Sequence, residues 1–188
     1  MKLPALFRAT PENQLFECLK REWDSQMEGQ DDAPSESYEP FLNHAAGIAN
    51  EKPQDAKYGV FILAEDDGHG EPAPPYEGVV HINHKLPKTS AAELRMVWSL
   101  IAPKYQVEPF DPRHFARLTA GFLTGGIHLC GTKMPASRMR MYLGNAIDRE
   151  HAQIVAAMLE ERDNTLSVAV KGSWLHLEGF DVPTEGAQ

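Results

Sequence analysis

Two long apolar runs separated by a short polar break constrain the fold of this chain more than any other feature. The first run covers residues 78–86 and is closed by Pro87, and the second covers residues 94–102 and is closed by Pro103. Runs of this length, rich in Val, Ile and Leu and ended by proline, are typical of β-strands. The second run is apolar on both alternating faces, which predicts a strand covered on both sides. These two strands are therefore the predicted centre of a sheet.

The rest of the chain alternates between strand and helix patterns. Helices are predicted from Thr10–Pro11, over 39–49, from Asp111–Pro112 to a stop at Gly125–Gly126, and over 149–162 with Asp148 as its cap. Strands are predicted near 6–9, 58–64 and 139–143, with a closing hairpin of 166–170 and 173–177. This order predicts an α/β (α+β) fold with a mixed, mostly antiparallel central sheet flanked by about four helices.

Composition narrows the class of protein. A chain of 188 residues with 42% hydrophobic content is long enough for one sizeable core, and no composition shift marks a boundary, so a single domain over residues 1–188 is expected. The apolar runs are shorter than the roughly 20 residues of a membrane-spanning helix, and the N-terminus lacks a signal pattern, which predicts a soluble, cytoplasmic protein. A net charge of −9 disfavours nucleic acid or a membrane surface as the partner.

Cysteine and histidine patterns do not favour a metal or a disulfide framework. Two cysteines cannot form such a framework. Cys18 lies among apolar residues that recur at helical spacing, such as Leu15 and Leu19, which favours a packing role for its side chain. His81 and His84 alternate to opposite faces of a strand, which argues against joint ligation, and His128-x-Cys130 alone is a weak pattern. No metal is predicted.

A family resemblance rests on two short pieces of sequence. Residues 101–106, Ile-Ala-Pro-Lys-Tyr-Gln, lead from a strand into a helix, and residues 143–146, Leu-Gly-Asn-Ala, precede another helix. With the order of elements, these pieces resemble the GNAT (GCN5-related) N-acetyltransferase superfamily. The resemblance implies acetyl-CoA as co-substrate, held near the strand end and the following helix N-terminus. The implied cofactor-binding residues are Leu100, Ile101, Ala102, Gln106 and Asn145.

The segment after Tyr105 departs from the family pattern. The glycine-rich turn of the family is replaced by residues 106–111, which contain no glycine, place a proline at 109 and add carboxylates at 108 and 111. Glycines in such a turn let backbone N–H groups approach a pyrophosphate closely. Arg113 and His114, in the first helical turn, are candidates to supply positive charge near a phosphate, and an ordinary surface role is the alternative.

Three residues are candidates for the chemistry of acetyl transfer, which requires a base for the amine and a donor for the thioester. Glu93 stands at the start of the second central strand, where related enzymes place a carboxylate, although a charged residue before a strand is often only solvated. His81 shares a polar face with Asn83 and Lys85. Many relatives carry a tyrosine in the last helix; this chain has none there, and Tyr142 is the candidate in its place.

The predicted function is acetyl-CoA-dependent transfer to the amine of a small molecule or peptide. The alternative is a catalytically inactive protein of the same fold that binds a ligand or partner, since fold alone does not decide function. The acceptor is not indicated by the sequence. The hairpin around Trp174 is predicted to form either a free sheet edge or a homodimer interface.

Overall fold

The computed structural model describes residues 3–28, 35–51, 57–87, 89–105, 112–144, 146–162 and 166–180, without the side chains of 35–37, 112, 146–147 and 158–162. The elements in this part of the chain are, in order, β1 (Ala5–Arg8), α1 (Leu15–Met27), α2 (Ser35–Ala49), β2 (Tyr58–Asp66), β3 (Pro72–Lys85), β4 (Glu93–Ile101), a 3₁₀ turn (Pro103–Tyr105), α3 (Pro112–Gly131), β5 (Arg138–Tyr142), α4 (Ala146–Arg162), β6 (Ser167–Lys171) and β7 (Trp174–Glu178).

The seven described strands form one sheet in the order β1-β2-β3-β4-β5-β7-β6. β1 pairs with β2, β5 with β7 and β6 with β7 in antiparallel fashion, whereas β4 and β5 are parallel. The parallel register runs from Glu93↔Arg138 to Met96↔Met141, and β4 continues beyond it to Ile101. The predicted α/β class with a mixed, mostly antiparallel sheet and four flanking α-helices is confirmed, and it is the layout that the GNAT resemblance implies.

The chain divides into two compact units. Unit 1 comprises residues 1–54, 59–81 and 99–123, and its buried core includes Leu19, Trp23, Val60, Ile62, Leu118 and Phe122. Unit 2 comprises residues 55–58, 82–98 and 124–188, and its buried core includes Ile82, Leu94, Met96, Met139, Leu175 and Leu177. The expectation of a single domain over 1–188 stays a prediction. No described helix combines the length and apolar character needed to cross a membrane.

The two central strands lie where the apolar runs predicted them. Val79, Val80 and Ile82 of β3 are fully buried, as are Leu94 and Met96 of β4. β3 begins at Pro72, six residues before the predicted strand. The proline-rich link is therefore itself part of the strand, since proline is compatible with extended backbone near a strand start.

Helix α1 begins at Leu15, so the predicted start at Thr10–Pro11 is wrong. The Asn13 side chain accepts hydrogen bonds from the N–H of Thr10 (3.0 Å) and of Leu15 (3.1 Å), and the N–H of Asn13 donates to Thr10 Oγ1 (3.4 Å). These bonds close a separate turn before the helix. Gln14 then adopts a left-handed conformation (φ 50°), which helical backbone cannot contain, so the helix starts after it.

Helix α3 continues through Gly125–Gly126 to Gly131, so the predicted stop is wrong. A Cβ at Gly126 would overlap Met139 Sδ and lie 2.5 Å from Met96 Cε. Gly126 therefore serves close packing against the sheet of unit 2. The helix continues through Gly126 because a glycine that is needed for packing is tolerated in a helix interior. Residues 127–130, predicted as a separate apolar piece after the stop, are therefore the last part of this helix.

Helix α4 begins at Ala146, two residues before the predicted cap. Asp148 lies in its first turn and accepts a hydrogen bond from the N–H of Gly144 (3.0 Å). Ile154, predicted to face inward, is 55% exposed, whereas Ala152 and Ala156 are buried. The predicted inward face is wrong at Ile154, because this helix buries its small residues. Met158 and Leu159, predicted on the same face, lie outside the described side chains.

Candidate functional site

The end of β4 in unit 1 is where the resemblance places the acetyl donor. The N–H of Ala102 donates to the carbonyl of Glu77 on β3 (2.9 Å), so this predicted cofactor-binding donor is already engaged. Successive N–H groups along a strand point to opposite edges, so the N–H of Ile101 points away from β3. Of the predicted backbone groups, Ile101 is therefore the one whose N–H is directed to the outer edge of β4.

Tyr38 of α2 holds the same residue through its carbonyl. The Tyr38 hydroxyl, on a side chain only 1% exposed, donates to the carbonyl oxygen of Ile101 at 2.6 Å. A hydroxyl occupies the acceptor that strand pairing would otherwise use. The Trp23 ring packs against Tyr38 edge to face (5.6 Å between centroids), and its indole N–H donates to the carbonyl of Tyr76 (2.8 Å). Helices α1 and α2 thus fix the strand end.

A buried carboxylate organises the turn after β4. Arg117 Nη1 of α3 donates to both carboxylate oxygens of Glu77, each at 2.6 Å, and the Tyr105 hydroxyl donates to Glu77 Oε1 at 2.8 Å. Glu77 is 2% exposed. Burial, followed by the hydrogen bond to Glu77, raises the pKa of Tyr105, so its phenol stays neutral at physiological pH. The cluster joins β3, the 3₁₀ turn and α3.

Helix α1 holds the turn from the other side. The N–H of Lys104 donates to Gln26 Oε1 (3.2 Å), and Gln26 Nε2 donates to Glu22 Oε1 (3.0 Å). The second carboxylate oxygen of Glu22 accepts the N–H of Tyr76 (3.2 Å). This chain of bonds connects α1 to both β3 and the turn, and it fixes the backbone immediately before the segment that the resemblance assigns to the pyrophosphate.

The other predicted cofactor-binding residues divide into two groups. Gln106 and Asn145 lie outside the described residues, as do the acidic residues of the segment 106–111. Arg113 and His114 are exposed in the first turn of α3, and the His114 ring lies 5.5 Å from the Tyr105 ring. Their position near the turn agrees with the expectation, and their role in binding a phosphate stays a prediction.

The predicted base Glu93 is buried in unit 2 between two arginines. Its Oε1 accepts a hydrogen bond from Arg95 Nε at 2.6 Å, and its Oε2 forms an ion pair with Arg140 Nε at 2.7 Å. The Glu93 side chain is only 4% exposed. Both oxygens are therefore engaged in ion pairs, so neither is positioned to take a proton from water. Its catalytic role stays a prediction, and this geometry favours a structural or binding role.

The other two catalytic candidates differ in their surroundings. His81 is half-buried in unit 1, with its ring 5.4 Å from that of His44. Burial, and then the nearby His44, lower the pKa of His81 to about 4, so it is neutral at pH 7 and only a weak base. Tyr142 in unit 2 is 39% exposed, with its ring edge to face on Trp174 at 5.3 Å. Its role as proton donor stays a prediction.

The sequence analysis missed Tyr38 and the buried pair of Glu77 and Arg117. Glu77 immediately precedes the first apolar run and continues its alternation with Val79, which was the available indication that it points inward. Arg117 stands among the apolar positions of α3, between Phe115 and Leu118. A single acidic residue such as Glu77 and a single basic residue such as Arg117, each on a buried face, suggest an ion pair. Without the fold, nothing in the sequence indicates that these two residues meet.

Comparisons with known proteins add a weak likeness. The chain is similar to a candidate acetyltransferase of the GNAT family from Desulfovibrio desulfuricans, with 15% identity over 95% of this chain and 98% of that one and a TM-score of 0.35. It is also similar to an acetyltransferase from Thermus thermophilus, with 17% identity over 94% and 97% and a TM-score of 0.33. Likenesses of this size carry no argument about function. No family model and no curated protein matches the sequence.

Proposed function

We propose that the chain is a GNAT-type N-acetyltransferase that moves an acetyl group from acetyl-CoA directly to an amine. The observation that carries the proposal is the outer edge of β4 at Ile101. There a hydroxyl of α2 takes the carbonyl at 2.6 Å, and the N–H is directed away from β3. The layout of the strands, with its single parallel pair β4–β5 among the pairings described, supports the same conclusion.

The chemistry requires little of the side chains. The amine nitrogen forms a bond to the acetyl carbonyl carbon, the C–S bond breaks, the amine loses a proton to solvent or a base, and the CoA thiolate takes up a proton. The N–H of Ile101 would donate to the carbonyl oxygen as negative charge develops there. Since His81 is a weak base and both Glu93 oxygens are engaged, the amine would have to arrive neutral. The rate should therefore rise with pH until the acceptor amine has lost its proton.

The test separates binding from transfer. Acetyl-CoA at 100 times its dissociation constant should stabilise the folded protein by about 2.7 kcal/mol, whereas AMP serves as a ligand control that lacks the pantetheine and thioester. Release of CoA in the presence of amines then measures transfer. The Tyr38→Phe variant, which removes the hydroxyl bound to Ile101, should bind acetyl-CoA more weakly than the parent. If acetyl-CoA produces no shift in the unfolding temperature, the proposal is wrong.

A second candidate function is binding without transfer. The engagement of both Glu93 oxygens by arginine favours it, because the predicted base is then already paired. Stabilisation by acetyl-CoA with no CoA released by any amine would support this candidate over the enzyme.

A further inference from the structure

One face of the sheet in unit 2 is mostly polar and reaches solvent. Residues that face each other in register share a face, and three rows cross it: Glu93–Arg138–Glu178–Ser167, Arg95–Arg140–His176–Ala169, and Tyr142–Trp174–Lys171. All of these residues except Glu93 are at least partly exposed. The alternating residues of the same strands are apolar and buried, so the three rows lie on the side away from the core of unit 2. We call these rows the arginine face.

The charge on the arginine face is opposite in sign to that of the whole chain. The two carboxylates of the face, Glu93 and Glu178, are outnumbered by its four cations, Arg95, Arg138, Arg140 and Lys171. The chain as a whole has a net charge of −9. A surface patch of one sign favours a partner that presents the opposite sign.

The two central arginines of this face have donors that no described residue uses. Glu93 pairs with the Nε atoms of Arg95 and Arg140, at 2.6 and 2.7 Å. Among the described residues, none accepts a hydrogen bond from the terminal amino groups of these two arginines. The Arg95 side chain is 28% exposed and the Arg140 side chain 32%, so part of each is accessible to a partner. One carboxylate balances only one of the two guanidinium charges.

The cations of the arginine face are spread too widely for one small anion. Residues two apart on a strand are separated by about 7 Å, which applies to Arg138 and Arg140 on β5. Arg95 lies beside Arg140 on β4, and Lys171 lies on β6, two strands from β5. Glutamates at alternate positions of an extended peptide have the same spacing of about 7 Å. A guanidinium also presents a planar fork of donors that matches a carboxylate, so a chain with several carboxylates fits this face.

We propose that the arginine face is a docking surface for an acidic segment of a protein partner, bound through its carboxylates. The proposal concerns unit 2 alone and does not depend on the proposed acetyl transfer. Contact between the arginine faces of two copies is disfavoured because like charges would meet. A nucleic acid is disfavoured because its dense charge would extend beyond this face along a chain whose net charge is −9.

Two labelled peptides test the preference for carboxylates. A peptide of four Glu-Ser repeats places acids at alternate positions, and a peptide of four Gln-Ser repeats is its neutral match in length. Fluorescence anisotropy with the full chain should give a dissociation constant about 10-fold lower, or more, for the acidic peptide. This advantage should fall as added salt screens the charges. Equal dissociation constants for the two peptides overturn the proposal.

Exposed charges in unit 2 provide variants that should all fold. Lys171→Gln should weaken binding of the acidic peptide by about 2- to 5-fold, and Glu178→Gln should tighten it by a similar factor. Lys133→Gln, between α3 and β5, and Glu150→Gln, on α4, make the same two changes of charge outside the arginine face. These controls should leave the dissociation constant nearly unchanged. Equal effects for the variants on the face and their controls overturn the docking surface.

Arg140 tests recognition by the guanidinium group. Arg140→Gln should weaken binding of the acidic peptide by roughly 10- to 100-fold, as expected for loss of a charged hydrogen bond. Arg140→Lys keeps the charge beside Glu93 but loses the planar fork, so it should recover only part of that loss. Unchanged binding in both variants contradicts the proposal.

Two measurements identify a different occupant. A thymidine octanucleotide with the same label tests nucleic acid: binding tighter than that of the acidic peptide, and lost in Arg140→Gln, would assign the face to nucleic acid and overturn the proposal. Analytical ultracentrifugation tests a second copy of the chain. Self-association of the parent that is lost in Arg140→Gln would assign the face to that copy and likewise overturn the proposal.

Discussion

Removal of the Glu77 carboxylate should destabilise the protein far more than removal of the other acid that contacts Arg117. Arg117 Nη1 lies 2.6 Å from both Glu77 oxygens; the Glu77 side chain is 3% exposed and the Arg117 side chain 13%. Glu77→Ala leaves the buried guanidinium and the Tyr105 hydroxyl without their common acceptor. Breaking a buried ion pair from one side costs about 3–5 kcal/mol.

Glu65 provides the matched control on the same arginine. Its carboxylate is 54% exposed and lies 3.4 Å from Arg117 Nη2. An exposed ion pair of this kind contributes about 0–1 kcal/mol, so Glu65→Ala should change the unfolding free energy by no more than that. Urea denaturation with unchanged m-values measures both variants. A loss below about 1 kcal/mol for Glu77→Ala, or equal losses for both variants, would refute the reasoning.

The double variant Glu77→Met/Arg117→Met separates the penalty of an unpaired charge from the net contribution of the pair. Replacement of a buried pair by apolar side chains is often nearly neutral. The double variant should therefore be more stable than Glu77→Ala, although it removes one more charged group.

Two further predictions concern pH and packing. His81 has a folded-state pKa of about 4, below its usual 6.5, so protonation favours the unfolded chain: its contribution is complete above pH 6.5 and is lost as the pH falls toward 4. After allowance for the partial exposure of His81, this loss of stability should be about 1–2 kcal/mol. The free energy of urea unfolding of His81→Gln should therefore depend less on pH than that of the parent between about pH 7 and 4. Equal slopes for the two proteins would contradict the prediction. Gly126→Ala should destabilise the protein by about 1–3 kcal/mol because the new methyl group overlaps Met139. Gly47→Ala, at an exposed helical site with no atom within 4 Å of the new Cβ, should instead stabilise it by up to about 1 kcal/mol. Thermal unfolding of both variants tests the contrast.

The strands were predictable because their signals are local. Alternation and proline boundaries located β3 and β4 within a few residues, and the hairpin of β6 and β7 followed from two apolar runs around Lys171–Gly172. Helix ends were less predictable. Thr10–Pro11 has the composition of a helix start, yet the Asn13 side chain captures the nearby N–H groups first. Gly125–Gly126 has the composition of a helix end, yet packing against Met96 and Met139 explains Gly126.

The candidate site was predictable only where the proposed role belongs to the backbone of one segment. The sequence indicated the end of β4, and the structure adds that Tyr38 reaches its carbonyl from α2. Side-chain clusters were beyond reach, because Glu77 and Arg117 are 40 residues apart and Glu93 and Arg140 are 47 apart in the chain. Such pairs are brought together by the order of the strands and by helix packing, and periodicity in one segment carries no information about either.

The two buried glutamates differ in how far their partners balance them, and this difference predicts different roles. Glu77 meets one guanidinium through two bonds and one neutral phenol, so its charge is matched and no donor of Arg117 Nη1 points to an outside ligand. Glu93 forms one ion pair with each of two guanidinium groups, so an excess positive charge remains beside a partly exposed surface. A matched buried pair contributes to the architecture, whereas an unmatched one is stabilised further by an added anion, since the cost of holding two cations together falls when a second negative charge arrives. The arginine pair around Glu93 therefore keeps an unbalanced positive charge within unit 2, and the cluster around Glu77 is the better candidate for positioning the strand end at which acetyl transfer is proposed.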